Sequence, residues 1–197
     1  MGNRVGAAAV KVGRDSTLRA IQPRHARRRS HAVDSRKQAP TVLTLGYQQR
    51  TIKEFIGLLV DASIDVLIDV RETAWSHKPG FSKSALQAKL GAVQIEYVHA
   101  RFAGNPKRIR AKAPSHAECL TRYAAHLKKN RSILRDFGEL VGKYLAGRKR
   151  VCITCYERHP DDCHRGILAS QWRAGRRRSV IHLATDGCSR LVGTQSR

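Results

Sequence analysis

Two short runs bring thiol, carboxylate, imidazole and guanidinium groups together: Cys155-Tyr156-Glu157 and Cys163-His164-Arg165. If Cys155 and Glu157 lie on a strand, their spacing of two puts both side chains on one face. With Asp161 or Asp162 as a cap, Cys163 falls in the first turn of a helix. Free amides and the positive helix end there favour a thiolate, and the neighbouring acids oppose it. The same amides with Arg165 suit a phosphate. Cys152-Ile153-Thr154-Cys155 matches a redox C-x-x-C pattern, but on a strand residues three apart point to opposite faces. Cys152 then belongs to the core. Three ligand types, Cys155, Cys163 and His164, with His159 or His99 as a fourth, also open a metal reading. Their spacing matches no standard zinc knuckle. Cys163 as a small buried hydrophobe is the plainer alternative.

A second pair is Asp69 and Arg71. Asp69 ends an apolar run, and a buried carboxylate is costly unless paired. Arg71 lies two residues on, on the same face. An ion pair that braces loops and a catalytic carboxylate are equally open readings.

The elements that must carry these groups alternate. Thr41 to Leu45 is a β-prone run stopped by Gly46-Tyr47. Thr51-x-x-Glu54 is a capping box ahead of the helical stripe Ile52, Phe55, Ile56, Leu59. Ile64 to Val70 is a strand, Ser82 to Leu90 a weak helix, and Ile95 to His99 a strand. A basic loop runs from Arg101 to Pro114. Ser115-x-x-Glu118 opens a helix with Leu120, Tyr123, Ala124 and Leu127 inward. A further helix, capped by Asn130, carries Ile133, Phe137, Leu140, Val141 and Tyr144. Arg150 to Tyr156 is a strand, Cys163 to Ala174 a helix, and Ser179 to Leu183 a short strand. Such alternation indicates βαβ units. The expected fold is α/β: a Rossmann-like three-layer sandwich around a mostly parallel sheet of about five strands. Ligands then collect outside the carboxyl ends of the strands, where Gly46, Tyr47, Asp69, Arg71, His99, Cys155 and Glu157 all fall.

At these residues the chain resembles a known family. Thr44-Leu45-Gly46-Tyr47, Asp69-Val70-Arg71, Tyr97-Val98-His99, Cys155-Tyr156-Glu157 and Cys163-His164-Arg165 are similar to the bacterial and archaeal family catalogued as domain of unknown function 488. The likeness covers about residues 41–183. It implies a compact α/β domain with these motifs around one cleft, and it supplies no reaction. Gln48-Gln49 stands where the family often has Ser-Asn, and Phe102-Ala103-Gly104 where it has Leu-Gly-Gly.

Charge frames the partners. The chain of 197 residues holds 38 Lys and Arg against 15 Asp and Glu, a formal net charge of +23. A hydrophobic share of 41% rules out a wholly disordered polycation. No run approaches the roughly 20 apolar residues of a membrane span. Residues 1–39 read as a basic, disordered arm or a misplaced start, 40–184 as one domain, and 185–197 as a tail. Five cysteines, an odd number without a secretory signal, point to free thiols in a reducing compartment, the cytoplasm.

Three functions follow as expectations. The first is an enzyme acting on an anionic, phosphate-bearing small molecule or nucleotide. It has Asp69, Cys155, Glu157, Cys163 and His164 as catalytic candidates and Gly46, Tyr47, Arg71, His99 and Arg165 as the anion-binding set. The second is a nucleic-acid-binding module using the 101–112 loop, Arg148 to Arg150, Arg173 and Arg176 to Arg178, with non-specific contacts as its plainest form. A metal-binding domain is the third.

Overall fold

Three apolar runs flanked by glycine, acid or arginine make the centre of the sheet, because a strand covered on both faces reads as continuous hydrophobicity. The computed structural model describes residues 40–183 and 190–192. Strands β1 (Thr41–Gly46), β2 (Val66–Asp69), β3 (Glu96–His99), β4 (Val151–Cys155) and β5 (Ser179–His182) are parallel, and β6 (Arg190–Val192) runs antiparallel to β5. Their order is β3-β2-β4-β1-β5-β6. The α/β sandwich with five parallel strands is therefore the observed fold. Its central pair is β4 and β1, in exchanged positions relative to the 3-2-1-4-5-6 order of dinucleotide-binding sheets. The arm at 1–39 and most of the tail at 185–197 lie outside the described residues.

Helices cover both faces. On one, α1 (Ile52–Asp61) and α2 (Lys83–Gly91) bury Phe55, Leu59, Leu86 and Leu90 against Leu43, Leu45, Leu67 and Cys152. On the other, α4 (His116–Lys129), α5 (Arg131–Ala146) and α6 (His164–Arg173) bury Tyr123, Leu127, Phe137, Val141 and Leu168 against Val66, Ile68, Ile153 and Val180. Cys152 and Cys155 face opposite layers, as a spacing of three on a strand requires.

Local chemistry sets the element ends. The Thr51 hydroxyl accepts from the Glu54 amide at 3.2 Å while the Glu54 carboxylate accepts from the Thr51 amide at 2.6 Å, a complete capping box. At α4 the Ser115 hydroxyl accepts from the Glu118 amide, but the Glu118 carboxylate turns to Arg122 instead. The basic stretch holds a 3-10 turn at Arg101–Ala103 and a short helix α3 (Lys107–Arg110). On α4 it is Cys119, rather than Leu120, that joins Tyr123 and Leu127 in the core. Among the described residues no helix is long and apolar enough to cross a membrane.

Candidate functional site

The carboxyl ends of β1, β2 and β4 meet at one edge, and the loop from Glu157 to Pro160 is clamped onto it. Register between β1 and β4 continues past the strands, with the Tyr47 amide donating to the Cys155 carbonyl at 3.3 Å and the Gln48 amide to the Tyr156 carbonyl at 2.8 Å. Gly46 lies under this loop. A Cβ there would sit 1.8 Å from the Glu157 carbonyl oxygen, so no other residue allows the approach. Gly166 meets the other end, where a Cβ would come within 2.1 Å of the Pro160 carbonyl. Arg165 completes the clamp: Nη1 donates to the Glu157 carbonyl and Nη2 to the Arg158 carbonyl. Its guanidinium is buried and absent from the lining of the main cleft. Gly46 and Arg165 both act on this loop, one by admitting it and the other by holding its carbonyls.

The clamp sets four groups around one point. Sγ of Cys155, Sγ of Cys163, a carboxylate oxygen of Glu157 and a ring nitrogen of His164 all lie within 4.8 Å of one another. Cys163 donates to Glu157 Oε2 at 2.8 Å, and Cys155 approaches the same oxygen at 3.3 Å. His164 Nδ1 stands 3.4 Å from Cys155 Sγ. Its Nε2 is 2.9 Å from the Val70 carbonyl, which only accepts, so Nε2 carries a proton. In the neutral ring Nδ1 then presents its lone pair to the cluster.

Burial and neighbours set the protonation. Burial pushes the Cys163 thiol well above its usual range, and the adjacent Cys155 adds to this. Burial also works to raise Glu157, but hydrogen bonds from Cys163, a backbone amide and Cys155, with the charge of His164, outweigh it and lower its pKa. For His164, burial opposes the imidazolium; Cys163, the Val70 carbonyl and Glu157 overcome it and raise the pKa. The lowered Glu157 carboxylate thus faces the Cys163 thiol, whose pKa is raised, beside an imidazole whose pKa is also raised.

Two sequence expectations change here. Cys163 is itself the N-cap of α6, with extended backbone, so neither Asp161 nor Asp162 caps the helix. Its thiol is deep in the core, not exposed at a helix start. The fourth member of the cluster is Glu157, not His159 or His99. His99 sits on β3, where its Nε2 lies 2.8 Å from the Arg71 carbonyl, and it lines a separate cleft with Arg101 and Phe102.

Beside the cluster is a second polar group. Asp69 is fully buried, and its carboxylate accepts from Arg71 Nε at 2.9 and 3.0 Å, from Nη2 at 2.6 Å, from the Arg71 amide at 3.1 Å and from the Tyr97 hydroxyl at 2.7 Å. Arg71 Nη1 donates to the Tyr47 hydroxyl at 2.7 Å, and the Tyr47 ring stacks on Phe81 with centroids 4.3 Å apart. Burial works against the guanidinium charge, but Asp69 and Tyr47 hold the Arg71 pKa above its usual value. Asp69 is absent from the cleft lining; Tyr47 and Arg71 are part of it.

Above both groups opens a cleft of about 1110 Å³, with Cys155, Glu157 and His164 on its floor. Trp75, Lys78, Lys107 and Tyr156 on its walls are contributions that sequence reading did not assign to the site. The sequence signal available for them is an aromatic in a polar connecting segment, Trp75.

No curated protein and no solved structure matches the chain. A family model does: the one described as Domain of unknown function DUF488 matches residues 51–172. The match takes in Asp69, Arg71, Cys155, Glu157, Cys163 and His164, and the chain belongs to the DUF488 family.

Proposed function

We propose that the chain is a metal-dependent enzyme whose centre is Cys155, Glu157, Cys163 and His164, and that the cleft above it admits a small anionic molecule. The observation that carries this is the convergence of four ligand atoms within 4.8 Å at the cleft floor. Bond lengths of zinc to sulfur, nitrogen and oxygen give ligand-to-ligand edges of about 3.3–3.8 Å in a tetrahedron. Cys155–Glu157 at 3.3 Å and Cys155–His164 at 3.4 Å lie near that figure, Cys163–Glu157 at 2.8 Å must open by about 0.7 Å, and the remaining pairs lie within 4.8 Å. His164 also has the outer contact typical of a ligating imidazole, a backbone carbonyl on the ring nitrogen that faces away. Two thiols and an imidazole select a soft or borderline cation such as zinc over magnesium or calcium.

A zinc ion held there supplies a Lewis acid. Glu157, at the cleft face, is the ligand that would give way to water or substrate, opening the position that a catalytic zinc needs. Cys163, the deepest member, anchors. Tyr47 and Arg71 meet the substrate from the side, and the buried Asp69 positions Arg71.

The Cys155–His164 contact of 3.4 Å supports a second reading, a metal-free thiol nucleophile with an imidazole base. One experiment separates them. Full-length protein purified without a metal-affinity tag is incubated with zinc, dialysed and analysed for metal. The metal centre predicts one equivalent bound, lost in both Cys163→Ser and His164→Ala. Protein that retains no zinc and whose Cys155 alone is rapidly alkylated by iodoacetamide overturns it in favour of the thiol.

A further inference from the structure

The cleft carries features that the four-residue centre does not use. Trp75 and Tyr156 both line it and remain 60% and 45% exposed. Leaving one large ring in water is ordinary; two on the walls of one cleft form a surface suited to a planar partner. The Trp75 segment is tied down. The Lys83 amide donates to the Ala74 carbonyl at 2.8 Å, the Ser82 hydroxyl to the Ser76 carbonyl at 3.1 Å, and the Lys78 amide to the Ser76 hydroxyl at 3.1 Å. The indole stands edge-on to His77 with centroids 4.1 Å apart, and Tyr156 stands edge-on to Tyr47 at 5.3 Å. Both rings are thus oriented before any ligand arrives.

The charge of the walls points the same way. Lining residues include Arg71, Lys78, Lys107 and Arg110 against two carboxylates, Glu72 and Glu157. Arg71 is committed to Asp69 and Arg110 to Glu72 at 2.8 Å. Among the described residues the Lys107 ammonium makes no ion pair, and Lys78 Nζ makes one bond, to the Tyr47 carbonyl at 3.1 Å, leaving two donors. Two available ammonium groups and two held aromatic rings share a cavity of a size suited to a small molecule.

The geometry points to a nucleoside phosphate as the ligand of this cleft, with its heteroaromatic base against Trp75 and Tyr156 and its phosphate at Lys78 and Lys107. Stacking on an aromatic face accepts any base, and an ammonium is a point-charge partner for phosphate. This deepens the proposed function and rests on its cleft, not on its metal.

Isothermal titration calorimetry on the full chain tests it, using adenosine monophosphate, adenosine, inorganic phosphate and a short single-stranded oligonucleotide, each against chelator-treated and zinc-loaded protein. The monophosphate is expected to bind at least tenfold more tightly than adenosine or phosphate alone. Trp75→Leu should remove most of that advantage over phosphate, and Lys107→Ala most of that over adenosine. Equal affinity for monophosphate and inorganic phosphate overturns the inference, as does a Trp75→Leu protein that binds like the parent. Tighter binding of the oligonucleotide, with a steep loss in salt, also overturns it and assigns the face to nucleic acid. Monophosphate binding by protein that takes up no zinc supports this inference while removing the metal centre, so the two fail separately.

Discussion

Asp69 with its partners and the Cys155–Glu157–Cys163–His164 cluster lie side by side at the same sheet edge, yet they satisfy their polar atoms in opposite ways. Around Asp69 every charge has its counterpart: one carboxylate, one guanidinium and two phenols close on one another. In the cluster two thiols crowd one carboxylate oxygen while an imidazole nitrogen faces a sulfur. Neutral S–H groups are weak donors, so this is a poor arrangement for protons and a good one for a cation. A saturated buried network holds shape. A cluster whose lone pairs converge is where chemistry is to be sought. Being polar, buried and at a strand end does not separate the two; the direction of the lone pairs does.

The largest expected effect breaks the brace. Asp69→Asn leaves the Arg71 guanidinium buried without its counter-charge, and removing one partner of a buried pair costs about 3–5 kcal/mol. Urea unfolding at fixed pH reads this. A loss under about 1 kcal/mol would mean that Arg71 reaches water easily and that the brace is not a buried pair at all.

Zinc sharpens the other side. Free metal at a hundred times its dissociation constant should stabilise the fold by about 2.7 kcal/mol, read as a rise in Tm that EDTA reverses and Cys163→Ser abolishes. The pH dependence has a definite sign. Burial holds the Cys163 thiol protonated, and metal must displace that proton, so uptake releases protons. Affinity should therefore fall as pH is lowered, by about tenfold per pH unit for each proton displaced. Zinc affinity that is flat with pH would remove the thiols from the ligand set.

Gly46→Ala comes next. The added Cβ meets the Glu157 carbonyl oxygen at 1.8 Å, a methyl carbon against backbone. Overpacking of this kind costs about 1–3 kcal/mol. Because the loop it displaces carries Glu157, zinc affinity should fall as well, and the Asp69 brace should stay intact. Titration of zinc into the variant checks this; unchanged affinity would mean that Glu157 is not a ligand.

How much of this was legible beforehand depended on range. The alternating pattern placed five parallel strands, and Thr51 with Glu54 formed the cap their spacing required. Strand periodicity set Cys152 and Cys155 on opposite faces, whereas Glu157 lies beyond the end of β4 and reaches Cys155 from the loop. The Asp69–Arg71 pair was visible as a pair, but Tyr97, which donates to it from the neighbouring strand, was not, because strand order is not written in local spacing. β6 was missed because three residues carry no period of their own. Helix α3 was missed because Lys107 to Arg110 is almost wholly polar. Glu157 as the group bridging both thiols depends on the reversal of the chain between 157 and 163, and that reversal depends on two close backbone approaches at Gly46 and Gly166. A glycine in sequence does not announce which carbonyl it must admit.

The smallest effect tests whether the two regions are separate. Burial and the charge of Asp69 push the Tyr97 phenol well above its usual pKa, so it donates to Asp69 at every working pH. Tyr97→Phe deletes that donor and leaves the Arg71 bonds in place. A half-buried hydrogen bond of this kind is worth about 1 kcal/mol, so urea unfolding should show a modest loss. Zinc affinity should not move, since Tyr97 touches Asp69 and not the cluster. If Tyr97→Phe weakened zinc binding as much as Gly46→Ala does, the brace and the cluster would be one coupled network. Asp69 would then act on the centre through Arg71 and Tyr47 instead of merely holding the sheet edge.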